Sequence, residues 1–449
     1  MLPKTKFNIF FKSNLFFVIL FFCFSLFFSL LKLSKGYTFE WDQSDDASKV
    51  FSIISQKKPL LIGPRVSNDN GFFVGPYHYY YLLPFYLLTK GDPIAGAYAV
   101  VFINILTTII SFFLIRKISN TKIAFISSLI ISLSLGKICW SAMYAPLIAI
   151  IAFYICYQAI NHKFYFPTAC LFAGFVSNLH LVPASLIPII IFSFFLSKNK
   201  ANRKEILIGL LFFCLPFLPL IIFDLRHNFL NFNKFIMMLS GTDNVGYITN
   251  KYIWLRSFWR SLNIFNIFPL IAERLFFLVV LFSSPFVFKG KNNKILILIW
   301  ILFPILILSQ YSGAISEYYY GMVTSLIPFF LTLILFKIIK NKLILSLIIS
   351  SILFLSIRNL VISKPATVTL NDKKNIVNYL INQKQDQPFN LSYETGIGLD
   401  FGFNYLFEYQ GKLPENTNDA HLYTLFTDDY LPTNSNIVLK QSIYSLVRR

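Results

Sequence analysis

Apolar stretches follow one another along most of the chain and are separated by short polar loops. A helix needs roughly 20 apolar residues to cross the hydrocarbon core of a bilayer. Eleven stretches approach that length, near residues 13–33, 93–115, 122–139, 142–160, 164–179, 181–197, 206–223, 268–288, 294–310, 319–337 and 343–361. The pattern predicts an α-helical polytopic membrane protein with about 11 transmembrane helices. Residues 76–90 are also apolar, but Gly75-Pro76 and Pro84 interrupt them, so we expect a re-entrant or interfacial segment there.

The pattern changes after Lys364-Pro365, where polar turns and balanced charge replace the apolar stretches. Short apolar runs at 366–370 and 436–439 predict strands, and residues 374–383 predict a helix. We therefore expect two domains. Residues 1–361 form the transmembrane domain, and residues 362–449 form a small soluble α/β domain.

Charge gives this topology an orientation. The chain is 56% hydrophobic and carries a formal net charge of +20, with the basic residues of the membrane part concentrated in short loops on one side of the predicted helices. Such loops stay in the cytoplasm. We therefore expect a multi-pass protein of the cell membrane, with extracytoplasmic loops at 34–92 and 224–267 and an extracytoplasmic tail. Because the basic residues are scattered over several loops, nothing indicates binding to nucleic acid.

Four acidic residues fall within the seven-residue stretch Glu40-Trp-Asp42-Gln-Ser-Asp45-Asp46, directly after the first apolar stretch. Ionisable groups at a membrane are costly and tend to be functional. Residues 44–56 have the spacing of an amphipathic surface helix, which places Asp42 at its start and Asp46 about one turn later. Helix capping explains one of these acids, but not four. Asp42 and Asp46 are therefore the candidate catalytic carboxylates, and Asp45 is a candidate ligand of the substrate.

Further candidates lie at the same predicted membrane face. Arg65 and Arg226 can hold a phosphate through charge-assisted hydrogen bonds, and Tyr77 and His78 belong to an aromatic run that suits either a sugar site or an interfacial belt. His180 is either a substrate ligand or a structural residue, and Asp224 and Arg226 can instead pair with each other. Glu317 is either a helix cap or a sugar ligand. The candidate substrate-binding residues are therefore Asp45, Arg65, Tyr77, His78, His180, Arg226, His227 and Glu317.

Several kinds of site are not indicated. All five cysteines lie in or at the ends of apolar stretches, so we expect neither a structural disulfide nor a metal site. The sequence lacks a P-loop, a dinucleotide fingerprint, an HExxH motif and a usable GxSxG elbow. We expect no required cofactor, although a divalent cation in the acid cluster is compatible with the sequence.

The stretches Trp41-Asp42-Gln43, Gly63-Pro64, Gly75-Pro76, Asn178-Leu-His180 and Asp224-Leu-Arg226-His227 resemble bacterial members of the GT-C superfamily of membrane glycosyltransferases. That superfamily includes the dolichyl-phosphate-mannose protein mannosyltransferases and the aminoarabinose transferases of lipid A. The resemblance covers about residues 10–360. One difference is that many members have Asp-Glu where this chain has Asp42-Gln43, which leaves open whether Asp45 or Asp46 supplies the second carboxylate.

The resemblance implies an inverting transfer of one sugar from a polyprenyl-phosphate donor to a glycan, lipid or protein acceptor outside the cytoplasm. In that reaction Asp42 would be the general base, and Arg65, Arg226 and His227 would stabilise the departing lipid phosphate. The partners would be the lipid-linked donor, the acceptor and membrane lipids.

Other functions compete with this one. A transporter or flippase for lipid-linked solutes places ionisable residues near the middle of the bilayer, whereas the predicted spans are nearly free of charge at their centres. A non-catalytic scaffold leaves the acid cluster unexplained. An oligosaccharide ligase or polymerase for lipid-linked glycans is the nearest enzymatic alternative.

Overall fold

The structure is a computed structural model that describes residues 4–66, 71–240, 252–311, 315–383, 389–415, 421–433 and 435–448. Helices dominate residues 4–362. They are α1 (Lys4–Ser34), α2 (Trp41–Gln56), α3 (Tyr77–Leu88), α4 (Ala95–Ile118), α5 (Thr121–Ser134), α6 (Ala145–Asn161), α7 (Phe166–Leu179), α8 (Ile187–Leu196), α9 (Arg203–Cys214), α10 (Leu218–Arg226), α11 (Leu230–Ser240), α12 (Ile253–Ser261), α13 (Leu270–Ser283), α14 (Lys291–Ser309), α15 (Gly321–Thr324), α16 (Ile327–Ile338) and α17 (Lys342–Ile362). Short 3-10 turns extend several of them, at Ser141–Tyr144, Val182–Leu186, Leu215–Phe217, Ser284–Val287 and Glu317–Tyr320.

Each of the eleven predicted spans coincides with a helix or with a helix extended by a 3-10 turn. Within the described residues, eight are long and apolar enough to cross a membrane. Three are shorter apolar helices, Thr121–Ser134, Phe166–Leu179 and Val182–Leu196, so a count of eleven full spans does not follow. The polytopic helical fold itself is confirmed. Helix α3 has 12 residues, in the segment expected to be re-entrant or interfacial.

Helix α5 ends at Ser134, five residues before the predicted end of that span. Lys32 on α1 stabilises this helix end, because its ammonium group is buried and donates hydrogen bonds to the carbonyls of Ser132, Leu133 and Leu135 at 2.6–3.1 Å. The last carbonyls of a helix have no partner within the helix, and Lys32 supplies one here. The chain then continues in extended form towards Trp140, which lies beside the candidate site.

Two hydrophobic cores organise the chain. The larger core lies among the spanning helices and is built around fully buried aromatic residues, including Phe153, Trp300 and Phe329. The second core joins α2, α3 and the start of α4 to the tail, through buried residues such as Val50, Tyr86 and Leu406. The first long loop and the tail therefore lie on the same side of the helix bundle, which is called the tail face below.

The tail forms a mixed α/β unit. It contains α18 (Leu370–Gln383), α19 (Phe403–Tyr409), β1 (Phe389–Glu394), β2 (His421–Thr427), β3 (Ile437–Gln441) and β4 (Tyr444–Arg448). The four strands form one sheet in the order β1-β2-β4-β3, in which β1 and β2 are parallel and the other two pairs are antiparallel. Strand β3 corresponds to the run predicted at 436–439, and α18 to the predicted helix.

The predicted strand at 366–370 is wrong. Leu370 begins α18, and the residues before it cap this helix, because Thr369 and Asp372 exchange hydrogen bonds between side chains and backbone. The preceding backbone attaches the tail to the first loop. The amide groups of Ala366 and Leu370 donate to the carbonyls of Lys35 and Tyr37 at 2.7 and 2.8 Å.

Candidate active site

Helix α2 presents the acid cluster at its N-terminal end on the tail face. It begins at Trp41, three residues earlier than the sequence predicted, because Glu40 and Gln43 form a capping box. The Gln43 side chain accepts the Glu40 amide at 3.0 Å and donates to the Cys139 carbonyl at 2.7 Å. Capping therefore involves Glu40 and Gln43 and does not account for the three aspartates.

Asp46 lies on the buried face of α2 and is paired. Its Oδ2 lies 2.8 Å from Nε2 of His78 on α3, and Nδ1 of His78 lies 2.8 Å from the Tyr144 hydroxyl. His78 is completely buried, and Asp46 is nearly so. Both ring nitrogens of His78 thus have protein partners. This series of hydrogen bonds, from Asp46 through His78 to Tyr144, fixes α2 against α3 and the start of α6. The bonded Asp46 lies one helical turn after Asp42.

Asp42 differs from Asp46 in being open to solvent. Desolvation and then the neighbouring charge of Asp46 raise the pKa of the Asp42 carboxyl above the ordinary value of 3.8. His78 opposes this rise. The charge of Asp42 acts on Tyr318 and Tyr319, so the N-terminal turn of α2 lies in the neighbourhood of the 3-10 turn at Glu317–Tyr320.

Desolvation also raises the pKa of Asp45, which is exposed, while the charges of Lys49 and Arg65 act to lower it. A carboxylate with a raised pKa that remains ionised near neutral pH is a stronger base than an ordinary aspartate. Asp42 and Asp45 are the two aspartates of the cluster that solvent or a substrate can reach.

His180 approaches the same place from α7. Its ring lies 5.9 Å from that of Tyr318, and Tyr318 in turn lies 4.4 Å from Trp140. Nδ1 of His180 accepts the Val182 amide at 3.1 Å, and burial lowers the pKa of the imidazole to about 4. His180 is therefore neutral at pH 7. It offers a neutral imidazole to this site and not a positive charge.

Tyr318 also lines a polar cavity of about 460 Å³ on the tail face. Other residues of its wall are Ser134, Arg260, Ser261, Asn263, Ile264, Arg274, Glu317 and Thr324. Glu317 forms an ion pair with Arg260 at 2.6 Å, where both side chains are partly exposed. The guanidinium of Arg274 lies 5.9 Å from the ring centre of Trp259, and its Nε has no hydrogen-bond partner among the described residues. Two guanidinium groups in one cavity suit an anionic ligand.

Arg274 owes its position to its neighbour Glu273. That carboxylate is fully buried and accepts the backbone amides of residues 265–268 at 2.6–3.3 Å. These bonds close the loop between α12 and α13, so that Arg260 and Arg274, on either side of the loop, reach one cavity.

A second group of predicted residues lies around the loop at 71–75. The guanidinium of Arg65 lies 4.8 Å from the ring centre of Phe73, which packs on Phe223, and Phe223 stacks on His227 at 4.1 Å. Arg226 is exposed at the end of α10. This group is connected to the acid cluster through Arg65 and Asp45, whereas Arg226 and His227 make no described contact with Asp42.

Asp224 does not pair with Arg226. Its carboxylate accepts the backbone amides of Asn231 and Phe232 at the start of α11. Tyr77 is also occupied, because its hydroxyl donates to the Pro216 carbonyl at 2.7 Å and its ring lies 5.0 Å from that of Phe175. Asp224 and Tyr77 are thus engaged in contacts that stabilise the fold.

The Gly-Pro pairs allow a close backbone approach. A Cβ at Gly75 would lie 2.7 Å from the Asn178 side chain, and a Cβ at Gly63 would overlap the Gly75 carbonyl. Glycine at both positions lets the first loop pack directly against the end of α7, two residues before His180.

No group of three or more His, Cys, Asp or Glu side chains within the described ranges is arranged to hold a metal ion. Trp140, Tyr144, Arg260 and Arg274 were not among the candidates expected from the sequence. For the arginines a signal existed, since Arg260 falls in the predicted extracytoplasmic loop at 224–267, where the positive-inside rule disfavours basic residues, and Arg274 falls within the predicted span at 268–288, where a charge is costly. The two aromatic residues carry no such signal.

No family model matches the sequence, and no curated protein matches it significantly. Solved structures do match. ArnT from Cupriavidus metallidurans in the apo state gives a TM-score of 0.65 at 12% identity, over 97% of this chain and 98% of that chain. ArnT bound to undecaprenyl phosphate gives 0.61 at 12% identity, over 96% and 97%. The apo oligosaccharyltransferase from Archaeoglobus fulgidus gives 0.53 at 12% identity, over 93% and 70%.

These matches establish the fold. The chain has the architecture of ArnT over nearly its whole length, including the tail. The fold expected from the resemblance to GT-C glycosyltransferases is therefore confirmed.

Proposed function

We propose that this chain is an integral membrane glycosyltransferase that moves one sugar from a polyprenyl-phosphate-linked donor to an acceptor hydroxyl, with inversion at the anomeric carbon. The observation that carries the proposal is the position of Asp42. It is a solvent-open carboxylate in the neighbourhood of Tyr318, which lines the cavity that contains Arg260 and Arg274. The common fold with ArnT, which has been observed with undecaprenyl phosphate, supports a polyprenyl-linked donor.

Asp42 acts as the general base in this proposal. Its carboxylate removes the proton from the acceptor hydroxyl as the oxygen attacks the anomeric carbon of the donor sugar. The bond from the anomeric carbon to the phosphate oxygen breaks, and the polyprenyl phosphate leaves with the bonding electron pair. The raised pKa of Asp42 favours proton transfer, and its exposure allows the proton to pass to water afterwards.

The leaving phosphate gains negative charge and needs cationic stabilisation. Arg260 and Arg274 are the best placed groups, because they share a cavity with Tyr318. Glu317 holds Arg260 in place and offsets part of its charge when no ligand is bound. Arg65, Arg226 and His227, which the resemblance indicated, do not line the cavity that contains Arg260 and Arg274, so we assign them to the approach of the lipid and not to the leaving group.

Asp46 and His78 position the base. Because both ring nitrogens of His78 and one oxygen of Asp46 have protein partners, neither group is free to take the proton from the acceptor. Their contribution is to hold the first turn of α2 and to provide the nearby negative charge that raises the pKa of Asp42.

The tail face is extracytoplasmic in this proposal, as the basic loops of the opposite side indicate. The acceptor is then a glycan, lipid or protein outside the cytoplasm, and the donor enters from the lipid between the spanning helices.

A transfer assay with the purified chain in nanodiscs tests the function. Lipid-linked sugars extracted from membranes of the source cells supply the donor, and membranes from cells lacking this protein supply the acceptor. We expect release of free polyprenyl phosphate and a product with inverted anomeric configuration by NMR. Movement of intact lipid-linked sugar across a liposome bilayer, without release of polyprenyl phosphate, would instead establish the transporter.

A further inference from the structure

The tail contributes an aromatic residue next to the proposed base. Trp41, the first residue of α2, stacks on Phe401 in the loop before α19, with ring centroids 5.2 Å apart and ring planes 22° apart. Trp41 is 58% exposed, so this stack lies at the surface. Trp41 directly precedes Asp42, so the stacked pair lies at the same end of α2 as the residue that we propose as the base.

The position of Phe401 is firmly held. The ammonium group of Lys373 on α18 is buried and donates to the carbonyls of Phe401 and Phe39 at 2.6 and 2.9 Å. At Gly402, which has a φ of +89°, a Cβ would lie 2.8 Å from the Phe39 ring. The loop that carries Phe401 is thus fixed against the segment that leads into Trp41.

Carboxylates are neighbours of this aromatic pair along the chain. Glu40 and Asp42 flank Trp41, Asp45 follows one helical turn later, and all three are exposed, while Asp400 directly precedes Phe401. Anchoring in a membrane interface is the common reason for an exposed tryptophan. Acidic neighbours disfavour that role at an anionic membrane surface, and the partner ring of Trp41 belongs to the tail and not to a spanning helix.

An aromatic face bordered by carboxylates matches the chemistry of an uncharged sugar ring. The C–H groups on one face of such a ring pack on an aromatic surface, and its hydroxyls donate to carboxylates. An anionic acceptor would meet repulsion from the four acids. A lipid chain or an apolar peptide would leave the hydrogen-bonding capacity of the carboxylates unused.

We propose that Trp41 and Phe401 form a binding platform for an uncharged sugar ring of the acceptor, so that the acceptor is a glycan. This proposal rests on the glycosyl transfer proposed above. The platform holds the acceptor ring beside Asp42, and the tail thereby takes part in acceptor selection.

The test uses the full chain in nanodiscs with labelled lipid-linked sugar as donor, and membranes from cells lacking the protein are titrated as acceptor. We expect Trp41→Ala and Phe401→Leu each to raise the apparent acceptor KM about tenfold, the size expected for an aromatic contact worth about 1.4 kcal/mol. The donor KM and the maximal rate should change less than about twofold. The substitutions Trp41→Phe and Phe401→Tyr, which keep an aromatic face, should restore most of the affinity.

The matched control is Tyr430→Ala, which removes another exposed aromatic residue of the tail and should leave the acceptor KM unchanged. Monodispersity of each variant checks folding, and Phe401→Leu keeps the bulk of the side chain. After transfer, the labelled sugar should be recovered in glycan that proteases do not degrade.

Three results would overturn the proposal while leaving the transferase intact: an unchanged acceptor KM in both loss variants, an equal rise in the donor KM, or label released with peptides. Absence of transfer by the wild-type chain would instead refute the proposed function on which the platform rests.

Discussion

Replacing His78 with phenylalanine should destabilise the protein strongly, because it leaves the Asp46 carboxylate buried without its partner. Leaving a buried carboxylate without its partner typically costs about 3–5 kcal/mol. The contact between Asp46 and His78 is 2.8 Å long and excluded from solvent, so this cost applies to Asp46. Asp46→Asn should cost only about 1 kcal/mol, because the amide oxygen can still accept from Nε2 of His78.

Thermal unfolding in detergent measures these effects. The unfolding entropy grows with chain length, so for a chain of this size 1 kcal/mol corresponds to roughly 1–2 °C. We expect His78→Phe to lower the Tm by about 3–10 °C and Asp46→Asn by about 1–2 °C. Asp45→Asn, an exposed aspartate of the same helix, should change the Tm by less than about 1 °C.

A double variant refines the test. Once His78 is phenylalanine, Asp46→Asn removes an unpaired buried charge, so the double variant should be more stable than His78→Phe alone. The positioning role of Asp46 is refuted if His78→Phe is as stable as Asp45→Asn. It is also refuted if the decreases in Tm of His78→Phe and Asp46→Asn add in the double variant, because the contact between the two residues then does not anchor α2.

Three further predictions concern the donor, the base and the topology. Arg260→Gln and Arg274→Gln should each raise the donor KM about tenfold, as loss of a charge-assisted hydrogen bond does. A donor KM equal to that of the wild-type protein in both variants would exclude this cavity as the phosphate site. The transfer rate should fall about tenfold per pH unit on acidification below the pKa of Asp42, which lies above 3.8; a profile that stays flat down to pH 3.8 would contradict that shift. In intact cells an impermeant maleimide should label Asn404→Cys and not Asn202→Cys, and the reverse labelling would place the tail face in the cytoplasm.

The spanning helices could be predicted from sequence because the bilayer imposes a single, strong constraint on composition. All eleven apolar stretches are helical, and the tail helix and the strand near 436–439 were also found. The strand predicted at 366–370 was wrong, since its apolar residues precede a capped helix, and the capping pair Thr369 and Asp372 was overlooked. Strand β2 could not be expected from pattern, because its run His421–Thr427 does not alternate between apolar and polar residues.

The site was predictable only in part. The acid cluster was visible because charge is rare beside a membrane segment. Which of its members is buried was not visible, since that depends on His78 and Tyr144, which come from distant parts of the chain. The meeting of Asp42, Trp140, His180 and Tyr318 also depends on helix packing. A single sequence does not encode such long-range contacts in a readable form.

Whether Asp42 is the base of a glycosyl transfer is measured by the rate of transfer by Asp42→Asn with saturating donor and acceptor. This substitution keeps the shape of the side chain and removes its basicity, so the maximal rate should fall by roughly 10²–10⁴-fold while donor binding stays normal. Glu408→Gln, the same chemical change at an exposed site of the tail, should retain the wild-type rate. An Asp42→Asn protein that transfers sugar at the wild-type rate would contradict the account, and loss of activity in Asp45→Asn instead would identify Asp45 as the base.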